Sequence, residues 1–506
     1  FCQQDYWQVG EVCESCVAHA FCPAKTIEPV TAAGFWRVPW RNASQPNARL
    51  PCLRNASCEG ATPSLKNATV QCAERHRGPL CAACARGSYR AVGSYECVAC
   101  ADDETASALF VVLLVIAIGV VISVITKLTI SDGGQEAAVD VVIAKILLNH
   151  FVIASAASTF PLSWPEFVQG FMEAMSLLSA SAMGESAFSV DCVTRTGSMR
   201  PVQAWGLISA LAPVPLLGCI ALLWFCIHTS KDRCGRKQQA AHRPPEAQAS
   251  NQASEAAQAV QPSASRPVSV LEVHWPVTNL VTLILGHPTI CKGAFQLLSC
   301  RTIGGRSFLE ADLDVSCRSS EYAAWALGVA MPSILLAGCG IPGYYFVRMW
   351  RLQPSLAGHR AVYGFLFSGY REECWWYELW NTVRKALFTG MTITLISAGP
   401  AMQAWGALLL LTLYVAVFLR SKPYEKSWLN ELELQALIVD IATLFFGLAL
   451  FLNTTNSEDA KSDVLAVFLS MAIVGINVWF VLRVVVCWRQ HSEYLRAAME
   501  TGHRYC

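Results

Sequence analysis

The segment ASALFVVLLVIAIGVVISVIT, residues 106–126, indicates the fold class of this chain. Its 21 residues carry no charged side chain, and as a helix they are long enough to cross a hydrocarbon core about 30 Å thick. Hydrophobic types make up 54% of the 506 residues and charged types 15%, against about 25% charged in soluble domains. The sequence therefore predicts an integral membrane protein. Its formal net charge of +1 gives no indication of a nucleic-acid partner.

Eight further apolar segments follow this one, so we predict a mainly α, polytopic membrane helix bundle of about nine spans behind a small disulfide-rich N-terminal ectodomain. His287 and Pro288 interrupt the fourth segment, and three charged residues interrupt the sixth: Glu378, Arg384 and Lys385. The nine predicted spans lie near 106–126, 141–160, 204–227, 277–297, 322–346, 376–396, 404–419, 434–452 and 464–486.

The ectodomain, called the head below, comprises residues 1–105, and its composition is that of a secreted domain. Eleven of the 22 cysteines lie in the first 100 residues. Cys-x2-Cys steps can bind zinc, but thiols outside the cytosol oxidise, so disulfides are the better interpretation. Three glycosylation sequons, at Asn42, Asn55 and Asn67, accompany the cysteines. N-linked glycans are the only attached groups that we expect, and no cofactor is predicted. Since the chain opens at Phe1 without an initiator Met or an apolar signal segment, we expect a processed chain or a fragment.

The cysteine spacing near 72–100 resembles an EGF-like or ephrin-receptor-like module, with Cys72, Cys81, Cys84, Cys97 and Cys100 as its disulfide cysteines. Eleven is an odd number, so at least one head cysteine needs a partner elsewhere.

The predicted outer loops add Cys192, Cys300 and Cys317. Cys300–Cys317 is the simplest pair because both residues lie in one loop, and Cys192 would then bond a head cysteine. Alternatively, Cys2 pairs with a residue upstream of Phe1, which leaves Cys192 free or near its loop neighbours.

Lys and Arg counts predict the orientation of the bundle. With the head outside, the predicted cytoplasmic segments hold 17 Lys and Arg and the outer loops hold six, which agrees with the positive-inside rule. The N-terminus is then extracellular, the C-terminus is cytoplasmic, and a fourth sequon at Asn453 lies outside. Residues 106–487 form the bundle, with a disordered cytoplasmic loop near 235–268, and residues 488–506 form a cytoplasmic tail.

Ionisable residues within the apolar segments are the candidate functional residues, because charges there usually face a bundle interior or a water-filled path. Lys145 and Glu378 lie near cytoplasmic ends, where snorkelling explains them. For Asp440 we predict a position facing protein or water, with Arg384 or Lys385 as its partner. Such an interhelical pair could act as a structural clamp or as a group that lines an ion path, and the two interpretations are equally good. The full set is Lys145, His150, Glu378, Arg384, Lys385 and Asp440.

A second candidate is the stretch AGCGIPGYYF in the fifth span, where Gly340, Pro342 and Gly343 are a candidate hinge. No signature of a hydrolase, kinase, nucleotide-binding protein or HExxH metalloprotease is present. The sequence therefore predicts no catalytic residue, no metal site and no enzyme activity.

Six motifs carry a family resemblance. The chain is similar to a protist and algal family of large membrane proteins with EGF-like cysteine repeats before a TRP-like transmembrane region. The motifs are, in order, KILLNHF at 145–151, LSWP at 162–165, DC at 191–192, GIPG at 340–343, WWYELWNTVRKALF at 375–388 and SKPY at 421–424.

The resemblance implies a cation channel. We therefore expect a plasma-membrane homo-oligomer, in contact with membrane lipids, whose head senses or adheres to an extracellular ligand or matrix. The loops 397–403 and 453–463 are too short for a pore helix and a filter, so a pore would be lined by kinked or polar helices or by the longer loops. A receptor or adhesion protein without conduction, and a transporter or lipid-moving protein, are the alternatives.

Overall fold

The structure, a computed structural model, describes most of the head and almost all of the helical region. The sequons Asn42 and Asn67, Cys2 and the predicted linker 235–268 lie outside the described residues. Those residues are 3–9, 12–22, 29–40, 49–60, 72–90, 95–100, 104–131, 137–158, 160, 162, 164–178, 192, 199–222, 224, 270–456 and 460–503.

The head consists of short antiparallel hairpins held by disulfides. Its strands pair two by two, and such isolated hairpins bury too little apolar area to be stable alone. Four described disulfides lie within it: Cys16–Cys22, Cys52–Cys58, Cys72–Cys81 and Cys84–Cys97. The strands are β1 Tyr6–Val9, β2 Val12–Ser15, β3 Ala20–Phe21, β4 Val30–Thr31, β5 Phe35–Arg37, β6 Arg49–Pro51, β7 His76–Arg77, β8 Ala83–Cys84, β9 Ser88–Arg90 and β10 Cys97–Ala99.

The predicted outer loop near 298–321 forms a three-stranded antiparallel sheet, β11 Cys300–Ile303, β12 Arg306–Leu309 and β13 Asp312–Ser316. A disulfide joins Cys300 and Cys317, whose Cα atoms are 6.5 Å apart. The sheet shares one hydrophobic core with the head, built from Trp36, Val38, Cys52, Cys58, Leu80, Cys81, Ala82, Ile303, Phe308 and Leu313. This joint core was not predicted from the sequence.

Polar contacts at the edge of that core fix the docking of the head. Trp40 Nε1 donates a hydrogen bond of 2.7 Å to the Gly304 carbonyl, in a turn where Gly304 has φ +53°. Arg77 Nε lies 3.3 Å from Asp314 Oδ2. Burial raises the pKa of Asp314 above its ordinary value, and the charge of Arg77 opposes that rise. The head and the sheet therefore form one unit rather than two independent modules.

Cys100 and Cys192 join the end of the head to the helical region, with Cα atoms 5.7 Å apart and a sequence separation of 92. Cys192→Ser should therefore weaken the attachment of the head. Closing a loop of about 100 residues stabilises by about 4–5 kcal/mol in the chain-entropy model, and the joint core limits the loss. We expect faster protease cleavage between the head and the helices and a lower unfolding temperature in detergent.

The free, exposed Cys219 supplies the control for this prediction, because Cys219→Ser removes a thiol without breaking a bond. Equal protease resistance of the two variants would show that the Cys100–Cys192 bond contributes nothing to holding the head.

The remaining elements are helices. A long helical segment, α7, follows the sheet and includes π-helical turns at Ala326–Ala330 and Ile334–Gly340. Near its end, the 3-10 turn Gln353–His359 kinks the segment at Ser355. The helices are α1 Glu104–Ser131, α2 Ala137–Ser158, α3 Glu166–Leu178, α4 Pro201–Leu211, α5 Pro213–Leu222, α6 Val270–Gln296, α7 Ser320–Phe367, α8 Tyr377–Thr394, α9 Pro400–Ser421, α10 Ser427–Asn456 and α11 Ala460–His503.

Five helices of the described chain are long and apolar enough to cross a membrane: α2, α7, α9, α10 and α11. The pair α4 and α5, bent by 45°, would make six if it is one span, and Val115–Lys127 of α1 is a shorter apolar helix. Helices α6 and α8, the predicted fourth and sixth spans, are not among the described helices that are apolar enough to cross a membrane. The structure thus supports a mainly helical membrane protein, while the count of nine spans remains a prediction.

The candidate hinge lies at the end of a π-helical turn. Pro342 has no N–H for the carbonyl of Gly338 four residues earlier, and the π-helical segment Ile334–Gly340 ends just before it. His287 Nε2 lies 3.2 Å from that Gly338 carbonyl. The helix therefore continues through Gly340, Pro342 and Gly343. His287 of α6 donates to the Gly338 carbonyl, which has no N–H donor at Pro342.

Candidate functional site

A cluster of buried polar side chains, here called the polar column, lies between α2, α8, α9, α10 and α11. Charged groups away from water need partners, because an unpaired buried charge costs several kcal/mol. The members are each less than 9% exposed and are Lys145, His150, Glu378, Asn381, Arg384, Lys385, Tyr414, Glu433, Asp440 and Asn477.

The first ion pair joins α2 to α8. Lys145 Nζ lies 3.5 Å from Glu378 Oε2, with side chains 6% and 3% exposed. Lys145 also donates to the Phe365 carbonyl, and Tyr370 donates a 2.6 Å hydrogen bond to Glu378 Oε2. Neither charge reaches water, so the snorkelling interpretation of Lys145 and Glu378 was wrong. Interhelical packing places the two side chains against each other instead.

The second ion pair joins α8 to α10. Arg384 Nη1 lies 3.7 Å from Glu433 Oε1, with side chains 2% and 1% exposed. The guanidinium also lies over the Tyr414 ring, 3.8 Å from its centroid, a cation–π contact that is strongest away from water. Glu433 accepts a 3.4 Å hydrogen bond from Tyr424.

Hydroxyl and amide groups connect these two pairs. Tyr414 donates to Asn381 Oδ1, and Asn381 Nδ2 donates to the Tyr370 hydroxyl at 3.4 Å. Tyr370 in turn donates to Glu378, as described above. The Tyr377 and Tyr414 hydroxyls are 2.6 Å apart. A rearrangement at one ion pair would therefore reach the other through this chain of hydrogen bonds.

The third pair joins α2 to α10, beyond Lys145 on α2 and beyond Glu433 on α10. His150 Nδ1 lies 2.7 Å from Asp440 Oδ1, with side chains 0% and 2% exposed. The prediction that Asp440 pairs with Arg384 or Lys385 was wrong. Seven residues separate Glu433 from Asp440, about 10 Å along a helix, and the register of α8 against α10 places Arg384 at Glu433. Asp440 faces α2, where His150 meets it.

Sequence reasoning also missed Glu433. The eighth span was predicted to begin at residue 434, whereas α10 begins at Ser427, so Glu433 was counted in a loop. The spacing of Glu433 and Asp440 was the available signal, because residues seven apart lie on the same face of a helix.

Several atoms of the polar column have no hydrogen-bond partner among the described residues. They are Arg384 Nε, Nη1 and Nη2, His150 Nε2 and Asn477 Oδ1. Buried polar atoms are rarely left unsatisfied and commonly bind internal water. The column therefore has the chemistry of a hydrated region within the helices.

The other predicted site residues lie away from the polar column. Asn55 is exposed in the head, and Asn453 lies in the last turn of α10. Among the described residues, one cysteine group has metal-like spacing, Cys52, Cys58 and Cys81. Disulfides bond all three of these cysteines, and a bonded sulfur is not the thiolate that a metal requires.

Comparison with known protein families gives a match in the C-terminal part of the chain. Residues 358–501 match a family model described as Transient receptor potential (TRP) ion channel. The match covers α8 to α11, and it therefore contains Glu378, Arg384, Lys385, Glu433 and Asp440. No curated protein and no solved structure matches the chain. The apolar helices and this match indicate a membrane protein with a TRP-like segment at residues 358–501. TRP channels are membrane proteins that typically assemble as oligomers.

Proposed function

We propose that this chain forms a TRP-like cation channel of the plasma membrane, with its cysteine-rich, glycosylated head outside the cell and its C-terminus in the cytoplasm. The observation that carries the proposal is the position of the polar column. Five of its charged residues lie in the segment that matches the TRP family model. Buried ionisable groups in membrane helices generally belong to ion paths or gating elements.

The described helix connections favour a path lined by helices. Only residues 395–399 separate α8 from α9, and only 457–459 separate α10 from α11. Neither connection can supply a pore helix and a filter. The polar column, with its unsatisfied donors and acceptors, is the best candidate in the described chain for the hydrated part of a path.

The head is proposed to act on this path through the sheet β11–β13. That sheet lies between the end of α6 at Gln296 and the start of α7 at Ser320. Arg200, just before α4, binds both Asp312 of the sheet and Glu321 of α7, at 3.4 and 3.2 Å. A ligand or force that moves the head would therefore displace α4, α6 and α7 together.

Reconstitution tests the proposed conduction. The purified full chain in liposomes, recorded in a planar bilayer under a potassium chloride gradient, should give currents whose reversal potential moves toward the potassium equilibrium potential. Protein-free liposomes are the control for leakage. Folded protein without current would contradict the channel proposal, and would favour the receptor or transporter that the sequence leaves open.

A further inference from the structure

An apolar cavity of about 600 Å³ lies between α6, the π-helical part of α7, and α8. Its wall includes Cys291, Phe295, Gly338, Phe346, Trp380 and Leu387. The volume falls within the range of about 300–1,000 Å³ that is usual for small-ligand sites. The cavity belongs to none of the ion pairs of the polar column.

The cavity opens on an exposed apolar surface of the helices. Phe346, Val347 and Leu387 line it and are 44%, 41% and 51% exposed. Beside them on α7, Leu335 and Leu336 are 60% and 74% exposed. In a membrane these side chains contact lipid hydrocarbon, so the cavity is continuous with the lipid phase.

Helix α8 separates this cavity from the polar column. At 3.6 residues per turn, residues on opposite faces of one helix have different neighbours. The cavity face carries Leu379, Trp380, Val383, Ala386 and Leu387, and the opposite face carries Glu378, Asn381, Arg384 and Lys385. Whatever fills the cavity therefore packs directly against the helix that holds Arg384 and Glu378.

We propose that the cavity binds an acyl chain of a membrane phospholipid. A hydrocarbon chain carries no polar atom and loses no hydrogen bond on entering a wall that consists mainly of apolar side chains, with two thiols and the side chains of Trp376 and Trp380. A sterol would also bury its ring system, but its hydroxyl would need a partner there. Water is disfavoured because it needs two or more polar partners, and the bilayer supplies acyl chains at high local concentration.

Photo-crosslinking tests the proposal in nanodiscs that contain the full chain. The probe is a phosphatidylcholine with a diazirine in the middle of one acyl chain, and mass spectrometry locates the label. We expect label on residues 334–347 or 376–387. Gly343 lines the cavity, and a Cβ built there meets no atom within 4 Å. Gly343→Phe should reduce that label by about tenfold or more, since displacing two methylene groups removes at least that much affinity.

Gly328 provides the matched control, because it lies in α7 outside the cavity and its added Cβ also meets no atom within 4 Å. Gly328→Phe should label like the unmodified chain. Gly343→Ala, a milder change, should give an intermediate reduction even if Gly343→Phe fails to fold. Unchanged labelling in both Gly343 variants would overturn the proposal, as would label confined to other segments. Equal labelling of the cavity by a photoactivatable sterol would overturn the assignment to an acyl chain. The readout does not depend on conduction, so it stands apart from the channel proposal.

Discussion

Arg384→Met is expected to destabilise the helical region by about 3–5 kcal/mol, the usual loss when one partner of a buried ion pair is removed. The variant leaves Glu433, whose side chain is 1% exposed, without a cation within ion-pair distance among the described residues. It also removes the cation–π contact with Tyr414. Thermal unfolding of the purified chain in detergent, followed by size-exclusion fluorescence, measures the effect.

A double variant and a surface control make this prediction specific. Arg384→Met combined with Glu433→Gln should recover most of the lost stability, because no charge then remains unpaired. Arg420→Met removes an exposed arginine at the end of α9 and should change stability by less than about 0.5 kcal/mol. If the double variant is as unstable as Arg384→Met, the pairing with Glu433 is not the cause.

Asp440→Asn is expected to reduce cation conductance by about tenfold or more while the chain still folds. The substitution keeps the shape of the side chain and a hydrogen bond to His150, but it removes a buried negative charge. At an effective dielectric constant near 20, a unit charge contributes about 4 kcal/mol to an ion about 4 Å away. Losing a third of that interaction energy would lower the rate of ion passage about tenfold. Single-channel recording of reconstituted protein measures it.

Glu431→Gln is the control for this experiment, since Glu431 lies on the same helix but is exposed, and its neutralisation should leave the conductance unchanged. The same measurement decides between the two interpretations of Asp440. A normal conductance with a low yield of folded protein would identify a structural clamp. Wild-type conductance and yield together would show that the Asp440 carboxylate is a bystander.

Local composition is enough to predict the helical membrane region and the disulfide-rich head. A run of about 20 apolar residues must form a helix in lipid, because its backbone groups have no other partners there. Similarly, eleven cysteines in 100 residues indicate a loop-rich domain crosslinked by disulfides, because so short a segment buries little core. These inferences hold residue by residue and need no knowledge of which segments touch. Local composition likewise predicted which ionisable residues lie inside apolar segments: Lys145, His150, Glu378, Arg384 and Asp440.

The choice of partners, by contrast, depends on the register between helices far apart in sequence. Glu433 and Asp440 are chemically equivalent partners for Arg384, and a relative shift of about 10 Å between α8 and α10 would exchange them. Packing selects Glu433, and it brings His150, 290 residues away in sequence, to Asp440. The docking of β11–β13 on the head and the cavity beside α8 arise in the same way, from surfaces that meet only after folding. Side-chain chemistry limits which groups can pair, and the packing of the helices decides which of them do.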